Sequence, residues 1–186
     1  MRIKWFSLIR ITGLLLVLLY HFFQTIFPGG FFGVDVFFTF SGFLITALLI
    51  EEFSKNHEID LIGFFRRRFY RIVPPVVLMV LVTMPFTFLV RQDYVAGIGG
   101  QIAGVLGFMT NFYELLTGGS YESQFIPHLF VHNWSLAVEV HYYILWGLAV
   151  WFLSKQSRSN GQLRGMVFLL SVAAFLISFF SMFIGS

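Results

Sequence analysis

Five ionisable side chains sit in or beside long apolar stretches of this chain: Arg10, His21, Asp35, Glu139 and His141. Such placement costs roughly 2.5–3.5 kcal/mol on insertion scales for Arg, Lys or Asp at mid-helix, so each is a functional candidate. Arg10 and His21 are eleven residues apart. On a helix they differ by about 20° in direction and about 16 Å in height, so one face carries a guanidinium near one end and an imidazole deeper in. An imidazole titrates near neutrality and suits proton transfer. The structural alternatives are a snorkelling anchor for Arg10 and a helix–helix hydrogen bond for His21. Asp35 opens the next apolar stretch on the same side as His21 and could orient the imidazole. Its alternative is a carboxylate favoured by a helix N-terminus. Glu139 follows Ser135 by four residues, so the two share a face and could hydrogen bond. Its alternative is a partner for a buried arginine. His141 points about 200° away from Glu139 and belongs to a different face.

A second kind of chemistry is cationic. Arg66, Arg67, Arg68 and Arg71 form a dense group, and guanidinium forks match phosphate oxygens bidentately. They predict either a pocket for a phosphorylated donor or a topology signal that meets anionic lipid. His128 and His132 are four apart and could chelate a metal, but no third ligand is evident, so no metal site is expected. The chain has no Cys, which excludes thiolate catalysis and disulfides. Asn133-Trp134-Ser135 matches a glycosylation sequon by chance, at the start of a span, and no phosphate-binding Gly-rich loop or G-x-S-x-G elbow occurs.

The elements that hold these groups are membrane spans. Of 186 residues, 58% are hydrophobic and only 11% charged, against about 25% charged in soluble domains. A soluble globule and a disordered chain are both excluded. The formal charge of +3 is no nucleic-acid signal, because the bases flank apolar segments. The expected fold is all-α and polytopic, with spans at 11–27, 33–50, 72–90, 134–153 and 166–184. Pro74-Pro75 is expected in the first turn of the third span, and Pro85 to kink its far end. Leu61–Tyr70 reads as a separate interfacial helix, apolar toward lipid and basic toward water. The Gly-rich segment 95–109 either crosses or is re-entrant. A full crossing would leave Lys155, Arg158 and Arg164 outside, against the positive-inside rule. The re-entrant version is therefore preferred. Arg2, Lys4 and Arg10 put the N-terminus in the cytoplasm, and the re-entrant version puts the loop carrying Tyr121 outside. The sequence stops as a span ends, at Met182-Phe-Ile-Gly-Ser, which predicts a piece of a longer protein.

Four local strings then occur in order. They are Arg10-Ile-Thr-Gly with Val17 and Tyr20-His21; Gly33-Val-Asp-Val-Phe-Phe-Thr-Phe-Ser-Gly-Phe-Leu-Ile45; Phe65-Arg-Arg-Arg-Phe-Tyr-Arg-Ile-Val-Pro-Pro75; and Asn133-Trp-Ser-Leu-Ala-Val-Glu139. Together they resemble the membrane acyltransferase 3 family, and within it the Gram-positive peptidoglycan O-acetyltransferases. Arg10-Ile11 is a mild departure, since the family often has Gly or Ala after the arginine. The resemblance implies that residues 1–186 are part of a larger transmembrane domain. The missing parts would be C-terminal helices and, in some members, an extracellular transferase domain. It implies acetyl-CoA as the cytoplasmic donor substrate, with no tightly bound cofactor, and a hydroxyl of a cell-surface glycan as acceptor. Arg10, Arg67, Arg68 and Arg71 would then serve the donor, while His21, Asp35 and Glu139 would serve the chemistry. Two readings compete with it: a non-enzymatic transporter or channel subunit lined by the same polar residues, and an inactive truncated remnant.

Overall fold

A computed structural model describes residues 4–23, 25–89, 95–117 and 128–184. Among the described residues seven α-helices follow one another: α1 (Lys4–Phe22), α2 (Phe32–Asn56), α3 (Leu61–Thr83), α4 (Ile98–Leu106), α5 (Thr110–Thr117), α6 (Trp134–Gln156) and α7 (Asn160–Ile184). Short 3-10 turns at Pro28–Phe31, Met84–Leu89 and Val131–Asn133 join them, and the described residues contain no strand. The helices α2, α3, α6 and α7 are long and apolar enough to cross a bilayer. With 19 residues, α1 is about 28 Å long, but it ends at Phe22 rather than 27, and its apolar part, Ile11–Phe22, falls short of the roughly 30 Å hydrocarbon core. The chain is an all-α, multi-pass membrane protein.

The third span differs from expectation. Leu61–Thr83 is one continuous helix, with Pro74 and Pro75 in its interior rather than in its first turn, and no separate interfacial helix precedes it. The reason lies at its start. Asp60 caps the helix by accepting from the Gly63 backbone N–H at 2.9 Å, and the Asp60 N–H is held by Glu52 at 3.2 Å. Nothing between Tyr70 and Ile72 breaks the helix once it is begun there. The two prolines cost it the hydrogen bonds that would end on the carbonyls of Tyr70 and Arg71. Around Pro85 the α-helix gives way to the 3-10 turn.

Helix directions follow from the contacts. The ring of Phe38 lies 6.3 Å from that of Trp134, and Trp146 Nε1 donates to Thr46 Oγ1 at 2.8 Å, so α2 and α6 run parallel. Phe64 packs on Gly147 and Arg68 lies over Tyr143, so α3 runs antiparallel to α6. At one end of the bundle Asn160 donates to Ser54 at 3.0 Å, joining the start of α7 to the end of α2. That end gathers Lys55, Arg66, Arg67, Lys155, Arg158 and Arg164. The chain leaves α3 and enters α6 at the opposite end, so the intervening segment makes no net crossing. Its helix α4 has nine residues, about 14 Å, less than half the hydrocarbon core. A sixth span through 95–109 is therefore not formed. Tyr121 lies outside the described residues.

Two clusters of buried side chains hold the bundle. One joins Leu49, Phe64, Tyr143, Val150 and Leu163 from α2, α3, α6 and α7. The other joins Val76, Val80, Val105 and Phe130 under α4. Helices α1 and α2 meet through small residues, which lets their backbones approach closely. A Cβ on Gly33 would lie 2.5 Å from the Gly13 carbonyl oxygen and 2.9 Å from Val17. Gly33→Ala is expected to lower the thermal midpoint in detergent, because overpacking costs about 1–3 kcal/mol. Gly29, with nothing within 4 Å of an added Cβ, is the control site for alanine. An unchanged midpoint for Gly33→Ala would show that the two helices do not pack this closely.

Candidate functional site

His21 lies in the last turn of α1, at the end opposite the basic loops. Its Nδ1 is 2.8 Å from the Val17 carbonyl one turn back. A carbonyl only accepts, so Nδ1 carries the hydrogen, and in the neutral ring Nε2 is left with a lone pair. The ring that meets it belongs to His132, edge to face, with centroids 4.9 Å apart. His132 sits in the 3-10 turn that leads into α6. Asp35 occupies the first turn of α2 and is exposed. Among the described residues no hydrogen bond or ion pair links it to His21; the imidazole faces His132 instead. The helix carries Arg10, but its side chain lies outside the described residues.

Deeper along α6, Glu139 is 8% exposed and accepts a hydrogen bond from the Tyr143 hydroxyl. Ser135 does not bond Glu139; its hydroxyl donates back to the His132 carbonyl at 3.3 Å. His132, Ser135, Glu139 and Tyr143 follow at steps of three, four and four, and so line one face of the chain as it enters and descends α6. His141 points elsewhere, against Phe112 of α5 with ring centroids 5.6 Å apart.

The arginines divide. Arg67 pairs with Glu52 of α2 at 3.2 Å. Arg71 is exposed. Arg68 turns inward, its guanidinium carbon 5.5 Å from the ring centres of both Phe64 and Tyr143, within cation–π range. It sits about 10 Å along α3 from Leu61. A cavity of about 800 Å³ lies between α3, α4 and α6, lined by Arg66, Arg68, Tyr143 and largely apolar side chains. Glu139 faces two others. One of about 230 Å³ lies among α1, α2 and α6, beside Val17 and Ser135. The second, of about 760 Å³, lies among α2, α6 and α7, beside Ser41, Thr46 and Trp146. Polar groups thus follow one face in two contacting sets, Arg68, Tyr143 and Glu139, then, about 10 Å further along α6, His132 and His21. They can hold an anion at one end, stabilise charge in the middle and move a proton at the other.

Two of these groups, Tyr143 and His132, have no catalytic role in the sequence reading. Tyr143 was legible as the residue one turn past Glu139. His132 enters the sequence reading only as a metal candidate, and its ring packs on His21, unlike that of His128. The latter makes a 2.8 Å bond to Glu114, a carboxylate only 6% exposed. These two are 14 residues apart across a loop, a spacing with no helical signal.

A multi-pass helical protein with this internal line of charge belongs to a recognisable class. The acyltransferase domain model matches residues 3–186. The chain belongs to the acyltransferase 3 family. It is 32% identical over 145 residues to the O-acetyltransferase OatA of Staphylococcus aureus, covering 78% of this chain and 24% of that protein. It is 31% identical over 139 residues to the peptidoglycan O-acetyltransferase OatA of Listeria monocytogenes, covering 74% of this chain and 22% of that protein. The chain spans about a quarter of the length of these curated relatives. No solved structure matches it.

Proposed function

We propose that the chain is part of a membrane O-acetyltransferase. It moves an acetyl group from cytoplasmic acetyl-CoA to a hydroxyl of an extracellular glycan, peptidoglycan being the acceptor class named for the Listeria relative. The observation that carries this reading is the polar line from Arg68 to His21 in a chain of the acyltransferase 3 family. Further helices and an extracellular transferase domain of the whole protein would complete the transfer.

The basic end is assigned to the cytoplasm by the positive-inside rule. There Arg68 and Arg71, with Arg67 beside its Glu52 partner and Arg10 on α1, receive the phosphates of the donor. The donor's thioester arm enters the apolar cavity next to Arg68. At the opposite end His21 Nε2 takes the proton of the acceptor hydroxyl as its oxygen attacks the acetyl carbonyl. The bond from the carbonyl to the group that carries the acetyl from the Arg68 cavity breaks, and that group takes the proton held by His21. His21 could equally carry the acetyl group for part of the way. Glu139 stabilises charge or relays a proton between the two ends, and Asp35 sits at the acceptor face.

The test is donor binding. Arg68→Ala and Arg71→Ala are each expected to weaken acetyl-CoA binding in detergent while the protein still inserts. A lost charge-assisted contact costs on the order of 1.5–3 kcal/mol, or about 10- to 150-fold in affinity. Unchanged affinity in both variants would leave these arginines as topology anchors.

A further inference from the structure

One side chain joins the two halves of this line. Tyr143 is buried, its ring lies under the Arg68 guanidinium at 5.5 Å, and its hydroxyl donates to Glu139. It forms part of the wall of the cavity that holds Arg66 and Arg68, whereas Glu139 opens on the cavities toward α1 and α7. The hydroxyl–carboxylate bond is thus a polar link between the compartment of the arginines and those beyond it. We propose that Tyr143 is a positioning residue for acyl transfer: it seats Arg68 by its ring face and aims the Glu139 carboxylate by its hydroxyl. The proposal rests on the donor reading given above.

The chemistry of the two contacts separates them. A ring face attracts a cation whether or not it bears a hydroxyl, so phenylalanine keeps the seat for Arg68. Only the hydroxyl can donate to a carboxylate. A buried carboxylate robbed of its donor adopts another orientation or another partner, because an unpaired polar group in a low-dielectric interior is costly. Tyr143 and Glu139 are one turn apart on the same helix, so neither needs another helix to find the other.

Tyr143→Phe, Tyr143→Leu and Glu139→Gln are made in the full-length protein, alone and with Tyr143→Phe combined with Glu139→Gln. Acetyl-CoA affinity, glycan acetylation and membrane level are measured for each. Tyr143→Phe is expected to keep donor affinity within about twofold and to lower the transfer rate by on the order of tenfold. Tyr143→Leu loses donor affinity as well, by roughly 2- to 30-fold. In the Glu139→Gln background, Tyr143→Phe adds less than about twofold, because two residues that act as a unit are not additive. The proposal is overturned if Tyr143→Phe transfers at the unmodified rate, if it loses as much donor affinity as Tyr143→Leu, or if the double variant is additive. An unmodified protein that neither binds acetyl-CoA nor acetylates glycan overturns the donor reading and this inference with it. An active protein with an indifferent Tyr143→Phe overturns this inference alone.

Discussion

His21→Ala, in the full-length protein, abolishes acetylation of the surface glycan and leaves the amount of protein in the membrane unchanged. Removing a general base lowers the rate by about 10²–10⁴-fold. Removing a structural hydrogen bond from a membrane helix costs about 0.6 kcal/mol on average and about 1.7 at most. The structure widens this gap. A hydrogen bond of His21 goes to the Val17 carbonyl of its own helix. That carbonyl faces a backbone N–H in any case, so it is not orphaned when the ring is deleted. His21→Gln supplies an amide N–H for the same carbonyl but has no titratable nitrogen, and is expected to be equally inactive. Near-normal acetylation by the Gln variant would make His21 a packing residue beside His132 and move proton transfer to Asp35 or Glu139.

Glu139→Gln is expected to reduce glycan acetylation at least about 100-fold, the lower bound for losing an acid–base group. The substitution keeps the volume of the side chain and an oxygen for the Tyr143 hydroxyl, so the α6 packing is preserved. What it removes is the negative charge and the capacity to take a proton. Glu139→Ala removes the volume as well and strands the Tyr143 hydroxyl in a buried site, so it should also lower the protein level. Acetylation measured per unit of membrane protein separates the two effects. Full activity of the Gln variant would reduce Glu139 to an acceptor that satisfies Tyr143.

How far the sequence announces this arrangement depends on where each signal lies. The spans α2, α6 and α7 are legible because the hydrocarbon core demands long uncharged runs. The third span is misjudged because Pro74-Pro75 matches the preference for proline in a first helical turn. The competing signal, Asp60 capping Gly63, lies fourteen residues earlier and decides the outcome. Arg68 and Arg71 are visible as a basic motif, yet nothing in the string says that Arg67 turns to Glu52 while Arg68 turns to Tyr143. That partition is made by the helices on either side of α3. Asp35 and His21 are brought to the same end by the α1–α2 hairpin, but the imidazole is met by a residue from a remote part of the chain. Glu114 and His128 are joined by loop closure, which leaves no period to read.

The Trp146–Thr46 bond spans 100 residues of sequence. At a synthesis rate of about 5–20 residues per second, its two halves reach the ribosome exit roughly 5–20 s apart. During that interval α2 must wait in the bilayer without α6. Thr46 is prepared for the delay, because its hydroxyl donates to the Gly42 carbonyl within the same helix at 2.8 Å. The oxygen keeps a lone pair for the indole that arrives later. Thus α2 can enter the membrane early with the Thr46 hydroxyl satisfied, and the line from Arg68 to His21 is completed only when α6 inserts.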